Sequence, residues 1–146
     1  IPMTLEKLGI RWYWGEEKWQ DYYYLGNTRI IDAAVYWKEN SYLSGTLMCL
    51  SFQFQKHLSL GRGGAILCDK EYTYNALKAM SYDGRAPNIP WKDQDIKHIG
   101  YHYYMTPETA QQGIDKLPSA IETTPKTWTS TDYPDLRNMT VFKTLR

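Results

Sequence analysis

The chain has 146 residues, enough for one modest core, and its 17 basic and 16 acidic side chains leave a formal net charge of +1. That balance gives no case for a nucleic-acid or other polyanionic partner, and no apolar run approaches the ~20 residues of a membrane-spanning helix. Aromatics are 15% of the chain, with thirteen Tyr and six Trp, which points first to packing and second to a carbohydrate-facing surface.

Ile1 to Gln20 is aromatic and amphipathic without a clean period. Trp12, Tyr13, Trp14 and Trp19 read as a strand and turn around Gly15, or as an arm against a partner. Gly26-Asn27 closes a tyrosine-rich connection as a turn. Thr28 to Ala33 predicts a short buried strand from its β-branched content, and a polar loop, Lys38 to Gly45, follows. Thr46 to Phe52 predicts the next strand, apolar at nearly every position, as in a sheet covered on both faces. Lys56 falls in the loop after it. Gly61, Gly63 and Gly64 then allow a tight left-handed path into a third strand, Ala65 to Cys68.

Asp69 is placed to cap a helix that runs to about Asp83. Tyr72, Ala76, Leu77 and Met80 give its apolar face, and Gly84 ends it. Ala86 to Asp95 is a loop. Thr106 as N-cap and Pro107 at the first helical position start a second helix, with Ala110, Ile114 and Leu117 on its apolar face and Pro118 as its stop. From Ser119 on, Thr, Ser and Pro are frequent, and an extended tail anchored by Trp128, Tyr133, Leu136 and Phe142 is expected. The expected organisation is a domain over residues 1–118 and a tail, 119–146, packing on it.

Cys49 and Cys68 have no His or Cys at ligand spacing. They read as buried thiols in a reducing compartment, and no metal site is expected. There is no secretory signal pattern, so a cytoplasmic protein is expected. Asn138-Met139-Thr140 fits a glycosylation acceptor, a tripeptide common by chance.

The most informative stretch is SFQFQKHLSLGRGG, Ser51 to Gly64. It joins a hydroxyl, a lysine five residues on and a glycine-rich turn, all after a strand. A lysine held against apolar packing favours its neutral amine, and a neutral amine attacks aldehydes. Upstream, Asp32 ends the apolar pair Ile30 and Ile31. The order IIDAA, then CLSFQFQKHLSLGRGGAIL, then GYHYYMTPETAQQGI resembles the DegT/StrS-type family of pyridoxal-phosphate-dependent sugar aminotransferases, from about Ile30 to Leu117.

The resemblance implies an α/β fold, the large-domain fragment of a type I aminotransferase, with a mainly parallel sheet flanked by helices. It implies Lys56 as the Schiff-base lysine, Asp32 as partner of the pyridine nitrogen of pyridoxal 5′-phosphate, and Ser51 as a phosphate contact. His102 stands where relatives carry an asparagine that reaches the phosphate across a dimer interface. The implied partners are an amino-acid donor, glutamate, and a nucleotide-linked keto sugar, in a homodimer with shared active sites.

Relatives are longer ahead of the aspartate motif, so the chain reads as a carboxy-terminal part or an incomplete product. Departures from the family pattern are Val35, where a partner of the ring hydroxyl stands, Tyr104 for a frequent Arg, and Gln53-Phe54-Gln55 for a frequent His-Pro-Thr. The alternative reading is a catalytically degenerate relative that binds a sugar or a protein partner. Loss of the lysine accompanies sugar dehydration in relatives, and Lys56 argues against that third activity.

Overall fold

The computed structural model describes residues 1–144, which form two compact units. One combines Ile1–Trp19 with the chain from Thr129 on, and the other is Gln20–Trp128.

The larger unit carries a four-stranded sheet in the order β1 (Tyr23–Tyr24), β2 (Ile30–Asp32), β3 (Leu47–Ser51), β4 (Gly64–Leu67). The expected mainly parallel sheet is corrected here, because only β2 and β3 run parallel; β1–β2 and β3–β4 are antiparallel. The connections give the reason. Residues 25–29 make a short reversal with Gly26 at φ +56°. Residues 52–63 fold back on themselves without a helix, turning at Gly61 (φ +83°) and Gly63 (φ +95°). A parallel return needs a crossover of about a dozen residues or more, and residues 33–46 between β2 and β3 supply it, as coil instead of helix.

That crossover also builds the core. Ile31 and Met48, paired in register on neighbouring strands, are 0% and 1% exposed. Tyr36, Tyr42 and Leu43 from the crossover close over them with Tyr22, Leu50 and Leu67. Full burial of such a side chain stabilises by about 1.5–3 kcal/mol. The other sheet face, which carries Cys49 and Ile66, stays open: Ile66 is 47% exposed. A sheet covered on both faces is therefore not what these residues build.

The predicted helices form with altered ends. Helix α2 (Glu71–Ser81) turns Ala76, Leu77 and Met80 inward, while Tyr72 is exposed. Asp69 does not cap it. Its carboxylate accepts from Gly45 N at 2.9 Å and Ser44 Oγ at 3.1 Å, and the Gly45 amide foremost holds the acid below the usual carboxylate range. At the other end, Asp83 takes the left-handed turn (φ +56°) and Gly84 N closes it on Ala79 O at 2.8 Å.

Helix α3 (Pro107–Glu122) starts as expected, with the Thr106 side chain accepting from Thr109 N. It does not stop at Pro118 but runs on to Glu122. The missing proline N–H would have served the Ile114 carbonyl, and Ile114 lies on the exposed side, where solvent can serve it. A second small core joins the last turns of α3 to the loop after β3: Leu58, Leu60 and Ala120 are buried, flanked by Trp37 and Phe52.

In the smaller unit, Pro2–Lys7 is a helix, α1, and the stretch around Gly15, expected as a strand and turn or as an arm, forms no strand. The expected extended tail is instead two 3-10 turns, Ser130–Asp132 and Leu136–Asn138, and helix α4 (Thr140–Lys143). Phe142 is 7% exposed and packs edge-on against Trp12 and Trp14. Arg137 bridges Asp135 and Glu16, which raises its already high pKa. No helix among the described residues is long and apolar enough to cross a membrane.

Candidate active site

The loop that carries Lys56 is tied at its base. Phe52 N donates to Gly63 O at 2.9 Å and Leu60 N to Phe52 O at 2.8 Å, so residues 52–63 return to their starting point. Inside the loop, Lys56 N donates to Gln53 O at 2.8 Å and Gln55 N to Gln53 Oε1 at 3.0 Å. Leu58 and Leu60 are drawn into the core with Ala120, which sets the side of the loop that Lys56 occupies.

A single carbonyl locks this arrangement to α3. The last C=O groups of a helix have no intrahelical N–H, and Ala120 O is one of them. It accepts from His57 Nε2 at 2.7 Å and from Trp37 Nε1 at 3.2 Å, with the two rings 5.9 Å apart. Because a carbonyl only accepts, His57 carries its proton on Nε2. Lys116 Nζ adds a bond to Ser59 O at 2.8 Å.

These constraints leave a cavity of about 200 Å³ at the carboxyl ends of the one parallel strand pair. Its walls are Ala33–Trp37 after β2, Ser51 with Gln55–Leu58 after β3, and Pro125, Lys126 and Trp128. In open α/β sheets, ligands sit beyond the carboxyl ends of strands. The half-buried Lys56 and Ser51 share this cavity. The Ser51 hydroxyl accepts from Gln53 N at 3.3 Å, the local bond a serine makes at a turn, and its own proton can still be donated. Val35 lines the wall too.

Asp32 does not line the cavity. Tyr23 donates its hydroxyl to Oδ2 at 2.7 Å and Ala34 N donates to Oδ1 at 3.0 Å. Its carboxylate shares a sheet face with Cys49, opposite it in register. Burial first, and then the Asp32 charge, push the Cys49 thiol up. Both Cys49 and Cys68 are free, half-buried thiols.

His102 lies elsewhere, along an open trough of about 1250 Å³ beside Cys49, Arg62, Gly63 and Tyr82. Its Nδ1 is 3.1 Å from Asp83 Oδ2, and its ring sits 4.5 Å from that of Tyr104. The His102 bond, with Arg85 second, lowers the Asp83 pKa. Within one chain, then, the structure joins Lys56 with Ser51, leaves Asp32 on the adjoining strand and sets His102 on a different surface. The expected role of His102 concerns a second chain.

From the sequence, His57 reads as a neighbour of the lysine and not as a base, and Trp37 and Lys126 were missed as parts of this site. Trp37 and Lys126 come from distant segments, and nothing in their local sequence marks them.

The chain matches the model of the DegT/DnrJ/EryC1/StrS aminotransferase family over residues 38–129. Ser51, Lys56 and His102 fall inside that span and Asp32 just ahead of it. No curated protein and no solved structure matches the chain. The family model covers more than half of the 146 residues and includes the whole lysine loop with the helix it docks on, so the chain belongs to the DegT/DnrJ/EryC1/StrS aminotransferase family.

Proposed function

We propose that this chain is the cofactor-tethering portion of a pyridoxal-phosphate-dependent aminotransferase, with Lys56 as the amine that holds the cofactor aldehyde and Ser51 as a phosphate contact. One observation carries the reading: the amine and the hydroxyl of the SFQFQK block line one cavity beyond the parallel strands. The residues present fit the group at its two reactive ends. An amine meets an aldehyde, while the Ser51 hydroxyl, with its proton still to donate, suits a phosphate. Tyr36, Trp37 and Trp128 supply flat walls for an aromatic ring.

When bound, pyridoxal phosphate supplies an electron sink for a carbanion at the substrate Cα. Lys56 Nζ would hold the aldehyde and, as a free amine, would take a proton from that Cα and return it. Asp32 is the proposed partner of the ring nitrogen. It stands one residue before the cavity wall, and reaching a ligand requires exchange of its Tyr23 bond. His102 is proposed to contact phosphate in a second copy of the chain, within a homodimer. The proposed acceptor is a nucleotide-linked keto sugar and the donor glutamate, in the cytoplasm.

The test is covalent trapping. Protein incubated with pyridoxal phosphate should gain a visible absorption band and lose it on borohydride reduction, with the label mapped to Lys56. The Lys56→Ala variant should stay colourless. Label spread evenly over surface lysines, and unchanged in that variant, would overturn the reading. It would favour a degenerate sugar-binding or interaction module, for which Val35 in the cavity wall and the engaged oxygens of Asp32 already speak.

A further inference from the structure

We propose that the outer edge of β4 takes up an extended segment of another protein, with carboxylates at its ends, as a fifth strand of the sheet; the inference does not depend on the cofactor reading. The register of the β3–β4 ladder carries it. Phe52 N donates to Gly63 O at 2.9 Å, and bonded pairs alternate with unbonded ones along an antiparallel ladder. Leu50 with Ala65 and Met48 with Leu67 are therefore the next bonded pairs. Gly64 and Ile66 fall between them, so their N–H and C=O groups point away from β3. The opposite strand agrees: Cys49, across from Ile66, turns its carbonyl to Ala33 N at 2.9 Å, on the β2 side. β4 ends the sheet, and among the described residues no backbone group outside the β3 ladder bonds to Gly64–Leu67.

Such an edge is a template for a further strand, and folded chains commonly blunt it with proline, a bulge or an inward charge. Gly64–Leu67 carries none of these. Gly64 is exposed and has no side chain to hold an incoming backbone off, and Ile66 is exposed beside it. The edge borders the open trough along which His102 lies, whose walls include Tyr74, Leu77, Tyr103 and Met105. Alternate side chains of a strand share a face, so every second residue of an added strand meets this apolar and aromatic ground. Charge fixes the rest. Arg62 and Lys78 line the trough, His102 is answered by Asp83, and no Asp or Glu is on its walls. Arg62, at the turn into β4, has no acceptor among the described residues, and Lys78 donates to the Tyr74 hydroxyl at 3.1 Å with two donors left over. Carboxylates at the ends of the incoming strand complement these cations.

The probe is a fluorescein-labelled peptide of alternating valine and threonine with glutamate at both ends, and binding to the full chain is read as fluorescence anisotropy. Opposed residues of a bonded pair share a face, so the valines that enter the trough turn their amides to Gly64 and Ile66, and the threonine amides point outward. Methylating the valine amides should abolish binding, while methylating the threonine amides should preserve it. Amide exchange at Gly64 and Ile66 should slow in the complex. A peptide with lysine for glutamate should bind about threefold or more weakly, and Arg62→Glu should reverse that order.

Equal binding of the two methylated isomers overturns the proposal, because it shows that the backbone edge is not what the peptide reads. Absence of binding to a wild type that sedimentation shows to be monomeric overturns it too. A wild-type dimer that takes up no peptide assigns the edge to a second copy of the chain and likewise refutes it. Lysine and glutamate peptides that bind alike to wild type and Arg62→Glu remove the acidic specificity and with it the stated chemistry of the partner.

Discussion

Replacing Gly64 by alanine tests whether strand contact at the root of the lysine loop positions the site. Gly64 opposes Ser51 in the β3–β4 ladder, and a methyl group on its Cα would overlap the Leu50 carbonyl and stand 3.6 Å from the Ser51 Cα. The obstacle is backbone, so no rotamer change relieves it. Either β4 moves away from β3 or the last ladder bonds stretch. Overpacking of that kind costs about 1–3 kcal/mol, or roughly 4–12 °C in Tm for a chain of this size. The displacement falls where β3 hands over to the Lys56 loop, so trapping of pyridoxal phosphate on Lys56 should drop as well. Thermal melts and borohydride labelling measure the two effects together. Gly15→Ala is the neutral control, since nothing lies within 4 Å of its added methyl, and its change should stay within about 0.5 kcal/mol. Gly45→Ala is the strain control: φ is +81° with open space around it, so about 1–2 kcal/mol should be lost with labelling retained. If Gly64→Ala melts with Gly15→Ala and labels fully, the close approach is no constraint and the reasoning fails.

Truncating Ile31 to alanine should cost about 2–5 kcal/mol, because that side chain is fully buried between strand and crossover; chemical denaturation midpoints measure it. Thr106→Ala should cost about 1 kcal/mol through loss of the α3 cap, and a wild-type midpoint would show that the bond to Thr109 N carries no weight. Asp83 gives a pH prediction. Its folded pKa is lowered, so the stabilisation by His102 and Arg85 is present above the ordinary carboxylate value near ~3.9 and disappears as pH falls through the lowered one. Melts between pH 3 and 6 should show Asp83→Asn flatter on the acid side than wild type; parallel curves would exclude the pairing as a source of acid sensitivity.

Much of this architecture is written in short-range chemistry. The β-branched run at Ile30–Asp32 and the apolar run at Leu47–Ser51 become strands, and the Thr106-Pro107 start of α3 forms as its residues dictate. Strand direction is not legible this way, because an apolar run looks the same in either orientation and the coil crossover at 33–46 carries no distinctive period. Asp69 shows a second limit. A carboxylate before a helix is equally good chemistry for a cap or for a loop amide, and the Gly45 amide takes it. Pro118 shows a third, since a proline ends a helix only where its lost hydrogen bond cannot be made good. The pairing of Ser51 and Lys56 was legible because the strand end and the loop that follows it lie five residues apart in the chain. Lys126 and Trp37 reach the same cavity from far along the chain, and their meeting depends on how α3 docks.

The Ala120 oxygen acts as a mechanical joint. One indole and one imidazole donor, from separate segments, grip one acceptor at the tip of α3. A ligand that tugs on Lys56 pulls its neighbour His57 along, and an ångström of travel is enough to break a bond of 2.7 Å. Strain at the amine is thereby relayed to a sixteen-residue rod. Amide hydrogen exchange near the rod's tip becomes a remote reporter of what happens inside the pocket.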